Sequence, residues 1–264
     1  MQGIIIATLV VGVVGLLIGI ALVAAGKKFY VEVDARETAV REELPGNNCG
    51  ACGYAGCDAV AAAIVKGEAP VNACPVNTQE HLERIGEIMG VEADAAARRI
   101  ALVKCSGDCG STSAKCNYVG IDDCRAAVLA GLSVASCSYG CLGYGSCVKA
   151  CEFGAMRVKD GVASADPEKC VGCGLCAAAC PKGLIEMVPA GDAMAVRCAS
   201  RDRGPEVKKV CTAGCIGCKI CMKQCEYDAI CVEDNLARVD AEKCTNCGKC
   251  AEKCPSKVIR GLRA

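Results

Sequence analysis

The chain has no tryptophan, two phenylalanines and six tyrosines among 264 residues. It therefore lacks the aromatic side chains that normally supply much of the buried area of a core, and a domain of this size must be held together by something else. A single histidine, His81, excludes sites built from several imidazoles. Lys plus Arg equals Asp plus Glu at 30 each, so the charge carries no footprint for nucleic acid, and none is expected as a partner. Neither G-x-G-x-x-G after a strand nor G-x4-G-K-[ST] occurs. The pairs Gly143/Gly145 and Gly172/Gly174 are glycines of cysteine-bearing loops, not nucleotide fingerprints. No catalytic residue is assigned, and the chain alone makes and breaks no substrate bond.

What is present in excess is cysteine, 27 residues. Disulfide scaffolds are short secreted chains with an even count, whereas this chain is long and its count odd. Metal–cysteine bonds are the natural substitute for the absent aromatic core.

The N-terminus carries a 23-residue uncharged run, Gly3 to Ala25, about 34 Å long as a helix and enough to cross a bilayer. Ala24-Ala25-Gly26 resembles a cleavage site, but only Met1 and Gln2 precede the run, where a signal peptide has a basic start. Lys27 and Lys28 follow at once and hold the C-terminal side in the cytoplasm, the reducing compartment in which thiolates persist. Tyr30 stands where an interfacial anchor would. Residues 29–48 read as a solvated linker, with seven charges between Val31 and Asn48 and the turn Pro45-Gly46 near its end.

Shifting the sequence by 74 residues superposes Cys124, Cys137, Cys141, Cys147, Cys151, Cys170, Cys173, Cys176 and Cys180 on nine later cysteines, Cys198 to Cys254. The chain from about 124 is thus two copies of one module. Cys170-x2-Cys173-x2-Cys176-x3-Cys180-Pro181 recurs at Cys244–Pro255, and again at Cys215–Cys225 without the proline. This is the bacterial ferredoxin run, in which three cysteines hold one four-iron cluster and the fourth reaches across to the other. Zinc uses separated pairs rather than a triple.

The crossing rule assigns Cys215, Cys218, Cys221 and Cys254 to one cluster, and Cys225, Cys244, Cys247 and Cys250 to another. In the first copy Cys151, Cys170, Cys173 and Cys176 form the equivalent of the latter. The other quartet departs from the pattern, because Tyr144 occupies the place of Cys218. Cys137, four residues before Cys141, is the expected replacement beside Cys141, Cys147 and Cys180.

Outside the repeat lie Cys49, Cys52, Cys57 and Cys74, spaced C-x2-C-x4-C-x16-C and expected to hold a further cluster. Asp58 to Lys66 is alanine-rich and predicts a helix. Thr78 to Met89 predicts an amphipathic helix, and His81 on it is read as a surface residue. An N-terminal apolar helix, this quartet and then ferredoxin runs together resemble the B subunit of the Rnf complex, an ion-translocating ferredoxin:NAD oxidoreductase of bacteria and some archaea. The resemblance covers essentially the whole chain and is to the long form, with two ferredoxin modules. Glu152 and Glu226 depart from it, standing where the run usually has proline.

The resemblance implies electrons taken from soluble ferredoxin and relayed to other membrane and peripheral Rnf subunits, with NAD chemistry on a partner. It also implies a bacterial or archaeal cytoplasmic membrane, spanned once, with the bulk of the chain on the cytoplasmic side. A polyferredoxin component of a membrane hydrogenase or dehydrogenase is the alternative among redox proteins, and the Cys49 motif argues against it. A zinc-binding structural protein is the alternative from another class.

Seven cysteines remain: Cys105, Cys109, Cys116, Cys124, Cys198, Cys211 and Cys231. A sixth cluster is expected either locally from the first four or, as favoured, from Cys105, Cys124, Cys198 and Cys211 joining the modules. Free thiols are the alternative. The distal segment, Val196 to Ala264, carries 14 Lys and Arg against 9 Asp and Glu, a charge that would steer acidic partners to it.

The expected fold class is α+β. A membrane anchor (1–28) and linker (29–48) precede a small helical iron–sulfur domain (49–100), a connecting segment (101–136) and two tandem two-cluster ferredoxin-like modules (137–195 and 196–264).

Overall fold

A computed structural model describes residues 2–28, 34–92, 98–113, 115, 116, 118–131 and 135–262; Tyr30 lies outside them. Helix α1 (Gln2–Lys28) is apolar all round and ends on Lys27 and Lys28, which complement the helix dipole at its C-terminus. At 27 residues it is about 40 Å long. Its described side chains are exposed, Val11 at 72% and Leu22 at 68%, unlike those of a core helix.

Three helices build the next unit. α2 (Ala35–Glu42) is capped by Asp34, whose carboxylate accepts the Arg36 N–H at 2.9 Å. α3 (Cys57–Val65) and α4 (Gln79–Met89) follow, the latter ended by Gly90 in the left-handed conformation. Val40 of α2, Val60 and Ile64 of α3 and Ile85 of α4 are fully buried in one cluster. The helices expected at 58–66 and 78–89 are found. The expected linker is corrected: its charges lie on the solvent side of α2, while Val40 and Leu44 are buried in the core. His81 Nδ1 lies 2.6 Å from Glu43 Oε2 and ties α4 to the end of α2.

Two cysteine-rich modules follow. In the first, β1 (Arg99–Val103) precedes α5 (Cys124–Leu129) and α6 (Ser146–Lys149). The hairpin β2 (Met156–Lys159) and β3 (Val162–Ala165), then α7 (Leu175–Ala179) and β4 (Ile185–Pro189), complete it. The second runs β5 (Met194–Val196), α8 (Gly204–Val210), α9 (Ile220–Gln224), β6 (Ile230–Glu233), β7 (Leu236–Val239), α10 (Lys249–Glu252) and β8 (Ile259–Gly261). In each, the first strand pairs antiparallel with the last, Val103 opposite Ile185 and Val196 opposite Ile259. The central hairpins turn through two residues of positive φ, Asp160-Gly161 and Asp234-Asn235, the geometry that matches strand twist.

Through these pairings residues 99–103 join a strand of the first module and residues 194–195 a strand of the second. Every sheet among the described residues has two strands, too few to stand alone. The hairpins and strand pairs are covered by small aliphatic side chains and by cysteines, including Cys147, Cys170 and Cys176 in one core and Cys215, Cys221 and Cys250 in the other.

Candidate metal centres

In the N-terminal unit Cys57 opens α3 and Cys74 follows its return, both buried. Asn48 accepts the Cys57 N–H at 2.8 Å, and Gly50 and Gly53 turn the intervening loop at positive φ. Burial pushes the Cys74 thiol up, and Cys52 and Cys57 are close enough to raise it further.

In the second module Cys215, Cys218, Cys221 and Cys254 line one small cavity. Burial raises Cys221 to about 11, with the other three adding to the shift. Cys244 and Cys250 sit in the same core as Cys225, and the Met194 N–H donates to Cys244 Sγ at 3.4 Å. In the first module Cys176 is pushed up to about 11 by burial and then by Cys170, Cys173 and Cys151. The Ala101 N–H of β1 donates to Cys170 Sγ at 3.4 Å.

The remaining first-module quartet differs from expectation. A small cavity is lined by Cys141, Cys147, Cys180 and Cys124, not by Cys137. Cys147 is raised to about 12 by burial and then by Cys141, Cys124 and Cys180. The reason is local. Asp123 caps α5, its Oδ1 accepting the N–H groups of Arg125 and Ala126. Ser146 Oγ donates to Asp123 Oδ2 at 2.7 Å and accepts the Cys124 N–H at 2.7 Å. This tether brings the first residue of α5 over the cavity that Tyr144 leaves one sulfur short.

Cys137 instead lines a separate small cavity between the modules, with Cys105, Cys198 and Cys211, and Cys141 borders both cavities. The cysteines that line this cavity differ from the joining set expected from sequence at one position, with Cys137 in place of Cys124. Of the other cysteines, Cys109 and Cys231 are exposed. Cys116 lies near Tyr144.

The residues fit iron–sulfur clusters on three counts. Sulfur atoms surround apolar cavities, backbone N–H groups point at several of them, and each raised thiol owes its shift first to burial. Buried in this way the thiols stay protonated until a cationic centre draws them into thiolates. Histidine and carboxylate donors are not part of any quartet.

Known proteins agree with this chemistry. A family model described as a putative Fe-S cluster matches residues 44–76. Models described as 4Fe-4S binding domains match 163–186, 237–260 and 209–228. The chain is 44% identical to the B subunit of the Na(+)-translocating ferredoxin:NAD(+) oxidoreductase complex of Acetobacterium woodii, over 96% of this chain and 76% of that one. It is 41% identical to the B subunit of the ion-translocating oxidoreductase complex of Methanosarcina acetivorans, over 93% of each. With the B subunit of the proton-translocating ferredoxin:NAD(+) oxidoreductase complex of Clostridium ljungdahlii it shares 40% over 99% of this chain and 94% of the other. Identity of this order over at least 93% of the chain means that it belongs to the B-subunit family of ion-translocating (Rnf) oxidoreductase complexes.

Proposed function

We propose that the chain is the membrane-anchored electron-transfer subunit of an ion-translocating ferredoxin:NAD oxidoreductase, accepting electrons from reduced ferredoxin and relaying them to the other subunits. Four-iron clusters, when bound, supply one-electron chemistry at potentials set by sulfur hydrogen bonds, charge and exposure. The ligand sets are Cys49, Cys52, Cys57 and Cys74; Cys124, Cys141, Cys147 and Cys180; Cys151, Cys170, Cys173 and Cys176; Cys215, Cys218, Cys221 and Cys254; and Cys225, Cys244, Cys247 and Cys250. Both modules are ferredoxin-like two-cluster units.

The rest of the chain positions, insulates and docks. The apolar α1 lies in the bilayer with Lys27 and Lys28 on the cytoplasmic side, which leaves the thiols in the reducing compartment. In the second module Cys218 and Cys247 are exposed, and Lys219 and Lys223 stand close to Cys218 in sequence, so this module receives the acidic donor. Lys249 is less available, since its Nζ pairs with Glu226 at 2.6 Å. The observation that carries the reading is that Cys124, Cys141, Cys147 and Cys180 in one module and Cys215, Cys218, Cys221 and Cys254 in the other, drawn from segments far apart in sequence, line a common apolar cavity in each.

The test is to mix reduced ferredoxin with the anaerobically purified full chain in a stopped-flow instrument. Ferredoxin should be reoxidised as the visible absorbance of the chain bleaches, faster at low salt than at high. Ferredoxin left reduced at every ionic strength would overturn the assignment of donor.

A further inference from the structure

We propose that Cys105, Cys137, Cys198 and Cys211 hold a sixth four-iron cluster at the junction of the modules, and that it is the link through which electrons pass from one to the other. The proposal deepens the iron–sulfur reading above and rests on it.

Each module gives an equivalent pair of sulfurs. Cys105 follows β1 in Val103-Lys104-Cys105, and Cys198 follows β5 in Val196-Arg197-Cys198. The Cys141 N–H donates to Cys105 Sγ at 3.4 Å, and the Cys215 N–H donates to Cys198 Sγ at 3.3 Å. Cys141 and Cys215 open the two cysteine runs and match under the 74-residue shift. Cys137 and Cys211 match in the same way, each four residues before its run. Two modules that place the same two cysteines at one shared face form a pseudo-symmetric four-sulfur site.

The enclosure is that of the other quartets. Like the two ferredoxin-type cavities, it is a small pocket with an almost wholly apolar lining. Cys198 and Cys211 are buried. The Ser200 N–H also donates to Cys198 Sγ, at 3.4 Å. Such N–H···S bonds tune a cluster; thiols serving only as small hydrophobes have no need of them. A Cβ at Gly107 would stand 3.3 Å from Cys211 Sγ and 3.7 Å from Cys105 Sγ, so a residue with no side chain keeps the site open. The first-module loop is sewn over it: the Thr212 N–H donates to the Ser111 carbonyl at 2.9 Å, and Thr112 Oγ1 to the Val210 carbonyl at 2.8 Å.

The location explains what the site does. Among the N–H groups that reach the junction sulfurs are those of Cys141 and Cys215, each assigned above to a flanking cluster. The junction is thus one residue away from a cluster in either module. Beyond it, Cys147 lies near enough to Cys176 to feel its charge, and Cys173 near enough to Cys49. The junction therefore lies between the Cys215 site of one module and the Cys124 site of the other, with the Cys170 and Cys49 quartets beyond the latter, while Cys244 packs against the cores of both modules. A cluster held by these four cysteines would supply one-electron chemistry between the two modules.

The test uses the full chain, purified anaerobically, with iron, acid-labile sulfide and zinc measured per chain. Wild type should hold about 24 irons from six clusters. Cys105→Ser with Cys198→Ser should remove about 4 of them and slow the spread of electrons from the second module to the first after mixing with reduced ferredoxin. Cys109→Ser, at an exposed thiol outside every set, should change neither. About 20 irons in wild type, or 20 with one zinc, would overturn the sixth cluster while leaving the iron–sulfur reading intact. Iron near zero would overturn that reading itself. The wild-type count decides even where the double variant fails to fold.

Discussion

Tyr144 packs against Tyr118 with ring centroids 5.1 Å apart and planes tilted by 58°, at the position where the second module carries the exposed Cys218. One module therefore presents a cysteine to solvent, and the other covers the same corner with an aromatic pair and brings Cys124 of α5 to its cavity. Tyr144→Phe should keep every cluster, because the ring, not the phenol, does the covering. The two replaced sulfurs separate by non-additivity. Cys137→Ser with Cys211→Ser removes one and the same cluster, about 4 irons, whereas Cys124→Ser with Cys211→Ser removes two, about 8. Equal losses from the two pairs would contradict the assignment.

The Ser146 hydroxyl, itself buried, is the hinge of that arrangement. Ser146→Ala leaves the Cys124 N–H and one Asp123 oxygen without a partner, at a cost of about 1–3 kcal/mol. The variant should lose the Cys124 cluster first on mild chelation, and Ser146→Thr should restore part of the resistance. Chelation kinetics identical to wild type would dismiss the tether.

Lys219 should report on docking. Just before the short helices of the cysteine runs the backbone takes positive φ at Gly145, Gly174 and Gly248, and in the fourth run at Lys219, φ 60°. A lysine there carries strain that glycine would relieve, about 1 kcal/mol. Lys219→Gly is therefore expected to be at least as stable as wild type and yet to oxidise ferredoxin more slowly at low salt, with the difference fading as salt rises. A stable variant of unchanged rate would show that the strained lysine has no part in docking.

Val40, fully buried on α2, tests whether that helix belongs to the N-terminal unit. Val40→Ala should cost about 2 kcal/mol, and Val40→Asp should abolish binding of iron by Cys49, Cys52, Cys57 and Cys74. An aspartate variant with full iron content would return α2 to the status of a linker.

Much of this was legible in spacing alone. Ligands that share a tight loop, such as Cys170, Cys173 and Cys176, declare themselves because loop geometry fixes their separation. The apolar α1 and the alanine-rich α3 follow from composition for similar reasons. The exchange of Cys124 and Cys137 was not legible. Cys105 lies 36 residues before Cys141, but its equivalent Cys198 lies only 17 before Cys215. The longer first-module loop makes the 74-residue shift match Cys198 with Cys124, a coincidence of numbering that strand pairing and the N–H···S bonds correct. The role of α2 was hidden for a different reason. One valine among charged residues gives no amphipathic signal, although that valine is fully buried.

That the cysteine quartets hold iron–sulfur clusters is tested most directly by the visible spectrum and metal content of the anaerobically purified full chain. The expected result is a brown protein with a broad visible absorbance that dithionite bleaches. Iron and acid-labile sulfide should be equimolar, with about 20 irons from the five motif quartets before the junction is counted. A colourless protein with about one zinc per quartet and little iron would contradict it.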